Sequence, residues 1–372
     1  MPADSPPPKR EVTATLGQLV DGRYKITAFI GDGGMGSVYR AEHVTIRKQV
    51  AIKLLHRQYA KQSGFAERFE REALAAGRIK HPNCVEVSDF GKLEDGTLYL
   101  VMELALGRTL GELLKAHGRL PVPRAVHIAR HTLRALAYAH EVGIIHRDIK
   151  PDNIVLVDHE GDRDFVKLLD FGIAKLVGEA ANEVEADLTQ VGTTMGTPKY
   201  MPPEQAFGKP VDGRADLYSL SVVLYLMLTG RPPFEAPEVI DILMMHASKP
   251  PPPFKDKAPG QFIAPELEAA VLKGLAKKRE DRFASASDYI EALEDALDAH
   301  HAYRRGDRPM PEDDEDPDTA SLELVTGAQR PSKVPHPSMS LMSIQAPDWL
   351  HRIHHISGKH WAMGIGGLLL LV

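Results

Sequence analysis

The side chains best suited to chemistry lie in a nine-residue run near the middle of the chain. Residues 145–153 read Ile-His-Arg-Asp-Ile-Lys-Pro-Asp-Asn. A carboxylate (Asp148), a lysine two residues later (Lys150) and an asparagine three further on (Asn153) can share one loop that faces a substrate. They can supply a general base, a cation for phosphate oxygens and an oxygen ligand for a metal ion. The run therefore predicts phosphate chemistry.

A second acidic motif follows at a distance of seventeen residues. Residues 170–172 read Asp-Phe-Gly and come directly after a strand-like run, so Asp170 can reach the same metal site as Asn153. The same triplet occurs at residues 89–91, more than fifty residues before the loop and inside a strand, hairpin and strand pattern. We interpret Asp89 as structural.

A glycine-rich segment near the start fits the pattern G-x-G-x-x-G-x-V. It comprises Gly31, Asp32, Gly33, Gly34, Met35, Gly36, Ser37 and Val38. Glycines let backbone N–H groups approach polyphosphate oxygens, although a plain glycine-rich turn or a dinucleotide-binding fold would also use them. A dinucleotide site requires a helix directly after the motif and an acidic residue about 20 positions on. Here the next stretch is strand-like and the residue 22 positions after Gly31 is Lys53, which favours a hairpin that clasps phosphates.

Lys53 ends a strand-like run, so its ammonium group can point at those phosphates. Such a cation needs an anion to fix its direction, and Glu72 in a predicted helix is the candidate. Taken alone, each residue would be interpreted as a solvated charge. The ordered pair within this set of motifs favours the functional interpretation.

The elements that must position these groups fall into a strand-rich part and a helical part. Predicted strands cover residues 24–31, 36–43, 50–55, 85–92, 98–104, 154–157 and 166–169. Predicted helices cover residues 64–79, 123–141, 215–228 and 265–276. This order predicts an α+β, bilobal fold, with a small β-rich N-lobe that contains one key helix and a larger helical C-lobe.

Taken together, the motifs resemble the protein kinase family, and in particular the bacterial serine/threonine kinases of eukaryotic type. The resemblance covers about residues 24–297. It implies that the segment beginning at Ile30 covers the phosphates of ATP, that Lys53 contacts the α- and β-phosphates, and that Glu72 holds Lys53. A protein-kinase-like fold and MgATP chemistry are what this resemblance predicts.

The resemblance also implies the catalytic roles. Asp148 would be the base for the acceptor hydroxyl, Lys150 would steady the γ-phosphate, and Asn153 and Asp170 would ligate Mg²⁺, with Mn²⁺ as an alternative ion. The residues that match those around the adenine base are Val38, Ala51 and Val155, the gatekeeper Met102, and the hinge from Glu103 to Ala105.

Regulatory features follow from the same resemblance. Thr197 matches the threonine that marks serine/threonine specificity, and Glu204 and Arg282 match a structural ion pair of the large lobe. Arg147 resembles the arginine of kinases that are activated by phosphorylation of the activation loop. The candidate phosphorylation sites in that loop, in order of preference, are Thr194, Thr193 and Thr189. Plain polar loop residues are the alternative for each of these threonines.

Two positions depart from the family pattern. The usual Ala-Pro-Glu reads Pro-Pro-Glu at residues 202–204, and Ser221 stands where the family usually has glycine. Neither position takes part in the chemistry, and Lys53, Asp148 and Asp170 are all present. The competing hypotheses are therefore an active kinase and, less favoured, a kinase-fold module that binds nucleotide or partners without catalysis.

Composition limits the choice of partner. The chain has 372 residues, with 45 Lys and Arg against 51 Asp and Glu, so its net charge of −6 does not favour nucleic acid as a partner. A single cysteine, Cys84, cannot form an internal disulfide, and no Cys/His cluster with zinc spacing is apparent. We expect a cytoplasmic kinase domain, without a secretory signal, that acts on protein serine and threonine side chains, including those of a second copy in a transient dimer.

Four segments are predicted along the chain. Residues 1–23 form a disordered Pro-rich lead, 24–298 the kinase domain (lobes about 24–105 and 106–298), and 299–360 a disordered acidic and Pro-rich linker. Residues 361–372 are apolar, but twelve helical residues span only about 18 Å of the roughly 30 Å that a bilayer core requires. A truncated membrane helix and a tail that packs on protein are the two alternatives. Histidines at 351, 354 and 355 leave metal binding as a third, less favoured one.

Overall fold

The structure is a computed structural model that describes residues 14–33, 36–60, 64–171 and 198–310. Its first part is a six-stranded antiparallel sheet in the order β1-β2-β3-β4-β6-β5. The strands are β1 (Leu19–Val20), β2 (Tyr24–Gly33), β3 (Gly36–His43), β4 (Gln49–Leu55), β5 (Val87–Lys92) and β6 (Leu98–Glu103). The predicted strands of the N-lobe are confirmed, with small shifts at their ends.

Strand β4 shows why this sheet has two buried faces. Side chains alternate along a strand, so Val50 and Ile52 pack into one apolar cluster, whereas Ala51 and Leu55 pack into another on the opposite face. Lys53 shares the face of Ala51 and is only 7% exposed. The alternation that places apolar residues in the core therefore also places the Lys53 side chain on the second face of the sheet.

A single long helix packs on that second face. Helix α1 (Arg57–Ala60) is one turn, and α2 (Phe65–Ala76) follows it. Phe65, Phe69 and Ala73 recur at helical spacing and are buried in the cluster that contains Ala51. The predicted helix at 64–79 is therefore present but ends earlier, because Gly77 follows it.

The second part is mostly helical. Its helices are α3 (Leu110–His117), α4 (Val122–Glu141), α5 (Pro203–Ala206), α6 (Arg214–Thr229), α7 (Val239–Ser248), α8 (Phe254–Lys257), α9 (Pro265–Gly274) and α10 (Ala286–Arg305). Capping boxes at Thr109 and Ser285 start α3 and α10. Helix α6 is buried almost all round, as expected for the centre of a helical lobe.

A small sheet lies beside these helices and carries the chemical motifs. Strands β7 (Gly107–Thr109), β8 (Ile154–His159) and β9 (Asp162–Leu168) are antiparallel in that order. A short 3₁₀ helix, Pro151–Asn153, leads from the predicted catalytic loop into β8. The observed architecture is thus the predicted β-rich lobe and helical lobe.

Two predicted boundaries differ from the structure. Strand β1 lies inside the predicted Pro-rich lead, because Leu19 and Val20 pair with the start of β2. Helix α10 continues past the predicted boundary at 298 to Arg305, where Gly306 ends it in a left-handed conformation. The ordered region is therefore longer at both ends than composition indicates.

The remaining predicted segments lie outside the described residues. These comprise positions 1–13 of the lead and positions 311–372, which hold most of the predicted linker and all of the apolar tail, together with positions 34, 35, 61–63 and 172–197. Among the helices that the structure describes, none is both long and apolar enough to cross a membrane.

Candidate active site

The loop that precedes β8 is shaped by a carboxylate from helix α6. Asp216 accepts hydrogen bonds from the backbone N–H groups of His146 (2.9 Å) and Arg147 (2.8 Å). Nε2 of His140 lies 2.8 Å from the same carboxylate. Arg147 has a left-handed φ of 66°, a strained conformation that such bonds can hold in place.

Burial alone would raise the pKa of Asp216, which is 1% exposed. The hydrogen bond from His140, the nearby positive charge of His140 and His146, and the bond from the His146 backbone outweigh that effect, so the pKa of Asp216 lies below its usual value. A charged Asp216 therefore organises the loop. This role has no signal in the sequence, because nothing in the local run around Asp216 indicates a contact seventy residues away.

Asp148, Lys150 and Asn153 come together in the structure. Lys150 Nζ donates to Asp148 Oδ2 at 2.6 Å, and Asn153 Nδ2 donates to the same oxygen at 3.1 Å and to the Asp148 carbonyl at 2.7 Å. Both side-chain contacts fall on Oδ2 of the carboxylate. Asn153 is 7% exposed, and its side-chain nitrogen is committed to Asp148, which leaves its amide oxygen for a cation.

Asp170 is linked to this loop through the backbone. His146 Nε2 lies 2.6 Å from the carbonyl of Leu169, and the Leu169 N–H donates to the carbonyl of Asn153 at 2.9 Å. These contacts hold the residue before Asp170 against the catalytic loop. Asp170 itself has a left-handed φ of 57°.

Lys53 forms an ion pair with Asp170, with Nζ 2.7 Å from Oδ2. Burial raises the pKa of the Asp170 carboxyl, but the charges of Lys53, His146 and Lys150 and the hydrogen bond from Lys53 bring the pKa below its usual value. Asp170 is therefore ionised at neutral pH. The structure thus brings the strand lysine and the second acidic motif together.

Glu72 lies in the middle of α2, with its side chain 14% exposed, and its Oε1 is 3.9 Å from Arg71 Nε. The helix that carries it packs on the face of the sheet to which Lys53 points. The role of Glu72 as the anion that holds Lys53 stays a prediction.

The glycine-rich segment forms the hairpin from β2 to β3, of which positions 34 and 35 are outside the described residues. A Cβ on Gly36 would lie 2.2 Å from the carbonyl oxygen of Leu54, so glycine is required there by the approach of β4. A Cβ on Gly31 would meet nothing within 4 Å. Ser37 Oγ donates to Asp32 Oδ1 at 2.8 Å and braces the hairpin.

Four of the predicted adenine residues belong to one apolar cluster or pack against it. Ala51 and Met102 are opposite each other on β4 and β6 and belong to the same buried cluster, against which Val38 and Ala105 pack. Val155 on β8 is 6% exposed. The Glu103 carboxylate pairs with Lys167 of β9 at 2.7 Å, a contact that sequence analysis did not anticipate.

Arg147 belongs to the loop that Asp216 holds. Its Nε is buried and has no hydrogen-bond partner among the described residues, and its carbonyl accepts a bond from Gln205 Nε2 at 3.1 Å. Thr197 and the three candidate phosphorylation sites, at 189, 193 and 194, are outside the described residues.

Two structural ion pairs agree with the sequence interpretation. Asp89 accepts from the Tyr24 hydroxyl at 2.8 Å and pairs with Arg23 at 2.9 Å, so this Asp-Phe-Gly triplet is structural. Glu204 and Arg282 form a bidentate pair with distances of 2.7 and 2.9 Å, as predicted.

Ser221, the departure from the family pattern, donates to the Leu217 carbonyl at 2.7 Å and contacts the Tyr289 hydroxyl at 3.0 Å. A Cβ on Gly274 would lie only 2.0 Å from its Oγ. The larger side chain at 221 is thus accommodated by a glycine on α9.

Comparisons with known proteins agree with this geometry. Residues 24–291 match the protein kinase domain family. The chain is 41% identical over 279 residues to the serine/threonine-protein kinase pkn3 of Myxococcus xanthus, covering 75% of this chain and 51% of that protein. It is 41% identical over 284 residues to PknH of Mycobacterium bovis, covering 76% of this chain and 46% of that protein. The chain thus spans about half the length of these relatives.

Solved structures give the same result. The crystal structure of the PknI kinase domain of Mycobacterium tuberculosis superposes with a TM-score of 0.60 and 28% identity, over 77% of this chain and 99% of that one. A point mutant of that domain superposes with a TM-score of 0.59. The loop held by Asp216, the paired Lys53 and Asp170, and the match over residues 24–291 lead to one conclusion. The chain belongs to the protein kinase family.

Proposed function

We propose that this chain is an active serine/threonine protein kinase that transfers the γ-phosphoryl group of ATP to protein hydroxyls. The observation that carries this proposal is the convergence of Lys150 and Asn153 on one oxygen of Asp148, which leaves the other oxygen for an acceptor hydroxyl. A carboxylate so placed can take the hydroxyl proton as the phosphoryl group is transferred.

Two lysines lie where they can contact the phosphates. Lys150 is beside the base, and Lys53, which lies opposite Val38 of the glycine-rich hairpin, is held by Asp170. Fixed cations of this kind stabilise a transferring phosphoryl group without reorganising at the moment of reaction. Lys150 would therefore act on the γ-phosphate and Lys53 on the α- and β-phosphates.

The oxygen ligands present fit a hard cation. The ionised carboxylate of Asp170 and the amide oxygen of Asn153 are groups that Mg²⁺ prefers, and Mn²⁺ accepts the same set. A bound metal ion would neutralise phosphate charge there. The open space at Gly31 leaves room for the phosphates of ATP along the hairpin.

Asp148→Asn tests the proposal. We expect phosphoryl transfer from radiolabelled ATP, to the chain itself and to a generic substrate, to fall by about 10³-fold, within the range for loss of a general base. Nucleotide binding, measured with a fluorescent ATP analogue, should stay nearly unchanged. A wild-type chain that binds ATP but transfers nothing would support the binding-module alternative instead.

We also propose activation by phosphorylation of the activation loop, in trans by a second copy. The buried Nε of Arg147, which has no partner among the residues described, supports this proposal, because an added phosphate would satisfy it. Mass spectrometry after incubation with MgATP should find phosphate on Thr194 first, then on Thr193 or Thr189. Absence of phosphate from all three would contradict the proposal.

A role in signal transduction and an attachment of the tail at residues 361–372 to a membrane complete the proposal. Fractionation of the intact chain against a chain that ends at Leu350 tests the attachment. Equal partition of the two into the soluble fraction would exclude the membrane role.

A further inference from the structure

A cluster of metal-ligating side chains lies away from the candidate active site. His127 and His131 are four residues apart on α4 and share one face of the helix, and Asp162 opens β9 beside them. Each offers a ligand atom, and these atoms all lie within 4.8 Å of one another. In the part of the chain that the structure describes, this is the one group of three such residues.

The geometry fits a single ion. Nε2 of His127 lies 2.9 Å from Asp162 Oδ2 and 3.1 Å from Oδ1, and Nε2 of His131 lies 3.8 Å from Oδ2. Ligand atoms about 2.0–2.2 Å from a tetrahedral ion are about 3.3–3.6 Å apart. Small side-chain rotations would bring the three atoms to that spacing.

The scaffold around the cluster is held without a metal. Arg124, one turn before His127, makes a bidentate ion pair with Asp164 at 2.8 and 2.7 Å, which joins α4 to β9. The Asp164 N–H donates to Asp162 Oδ1 at 3.0 Å, and the ring of Phe165 packs edge-on against His131. The backbone segments that carry the three ligands are therefore held by their neighbours.

The imidazole of His131 is enclosed beside the other two ligands and is 7% exposed. Neutral imidazole is the form that binds metals. The Val166 N–H donates to His131 Nδ1 at 3.5 Å, a long contact that metal binding through Nε2 would replace, because the ring proton is then on Nδ1.

Two of the arginines near the cluster are paired with carboxylates. Arg124 is paired with Asp164 and Arg130 with Glu294. His127 and Asp162 are each about one third exposed, so water can supply a fourth ligand.

We propose that His127, His131 and Asp162 form a binding site for a divalent transition metal ion of the Zn²⁺ class, which cross-links α4 to β9. Two imidazole nitrogens and one carboxylate select such an ion over Mg²⁺. Helix α4 ends at Glu141, just before the catalytic loop, and β9 ends at Leu168, just before Asp170. The ion therefore restrains the two elements that lead into the active site.

Sequence analysis found no cluster with zinc spacing because the third ligand is 31 residues beyond His131. The pair of histidines four apart on a predicted helix was the available signal.

The test is a titration of the metal-free full chain with Zn²⁺, monitored by calorimetry. An excess of Mg²⁺ is present throughout, so that the candidate magnesium site is occupied. His127→Gln retains a hydrogen-bond donor toward Asp162 but removes the ligand nitrogen. Loss of even an outer partner of a metal ligand weakens affinity about 10- to 100-fold, so we expect this variant to lose one equivalent of Zn²⁺ or to bind it at least about 100-fold more weakly. Asp162→Asn should weaken the same equivalent.

His117→Gln is the matched control, because this exposed histidine on α3 is outside the cluster and should leave the stoichiometry unchanged. Zn²⁺ should also raise the melting temperature of the wild type more than that of His127→Gln. Equal Zn²⁺ stoichiometry and affinity in wild type and His127→Gln would overturn the proposal, as would a wild type that binds no Zn²⁺.

Discussion

Two ion pairs of nearly equal length differ in their exposure to solvent. Lys53 and Asp170 are 2.7 Å apart at the cleft, with 30% of the Asp170 side chain exposed. Arg282 and Glu204, also 2.7 Å apart, are enclosed, with side chains 0% and 9% exposed. The first pair meets through one carboxylate oxygen and has an open side, whereas the second is bidentate.

The enclosed pair is also surrounded by further partners. Arg282 donates to the carbonyls of Ala276, Lys277 and Arg214, and its guanidinium lies 4.7 Å from the centre of the Tyr218 ring. A pair whose hydrogen-bonding groups are all satisfied by the protein has a structural role. The Lys53–Asp170 pair is exposed on one side, so it is available to a ligand. We therefore expect the cleft pair to govern turnover and the enclosed pair to govern stability.

The strongest test of this difference is Asp170→Asn. This substitution removes the charge that holds Lys53, and it also removes the main candidate ligand for Mg²⁺. We therefore expect kcat for phosphoryl transfer to fall by about 10³-fold or more. Asp89→Asn, in the other Asp-Phe-Gly triplet, is the matched control and should keep kcat within about threefold. It should cost about 1 kcal/mol of unfolding free energy, since it weakens contacts with Tyr24 and Arg23. Equal loss of kcat in both variants would contradict the assignment.

Glu204→Gln should show the reverse behaviour. It leaves the Arg282 cation buried without a counter-ion, so we expect the free energy of unfolding in urea to fall by about 3 kcal/mol. At temperatures where the variant is folded, its kcat should remain near that of the wild type. Glu280→Gln, whose carboxylate pairs with Arg279 at the surface, should leave the urea midpoint unchanged. If Glu204→Gln altered kcat but not the midpoint, the two pairs would not differ as we infer.

The contact between Ser221 and Gly274 offers a smaller test of the same packed region. Gly274→Ala forces a methyl group against Ser221 Oγ and should destabilise the chain by about 2 kcal/mol. Ser221→Gly in the same chain should recover most of that loss in a double-mutant cycle. Additive losses would show that the two residues do not interact.

The pH dependence of stability tests the buried histidine of this region. His246 is 0% exposed, Tyr218 OH lies 2.9 Å from its Nδ1, and burial lowers the pKa of His246 to about 4 from 6.5. Between these values the unfolded chain binds the proton and the folded chain does not, so stability falls as pH falls from 6.5 toward 4. One such group contributes a slope of about 1.4 kcal/mol per pH unit.

His246→Gln should reduce that slope by the contribution of one titrating group. His131 contributes a similar slope, because its pKa is also lowered to about 4. The same slope in His246→Gln and wild type would show that His246 titrates normally.

The elements of this fold could be predicted where the signal is local. Strand β3, Gly36–His43, and the run from His146 to Asn153 depend on alternation or on adjacent residues, and both were identified. Contacts between distant residues could not be derived from local patterns, and the Glu204–Arg282 pair was predicted only through the family resemblance. Asp216 reaches His146 across seventy positions, and Lys53 reaches Asp170 across more than a hundred. The periodicity of apolar residues gives no information that Asp170 will contact the buried Lys53.

The carboxylate of Asp216 also determines whether the loop at residues 146–153 could be transplanted into another protein. It satisfies two successive N–H groups that a helix or strand would otherwise have to bond, so the loop keeps its shape without regular structure of its own. The loop's conformation is thus encoded partly in a helix that contributes nothing to the chemistry. Transplanting residues 146–153 into another scaffold would therefore fail unless an acidic side chain were supplied at the same place.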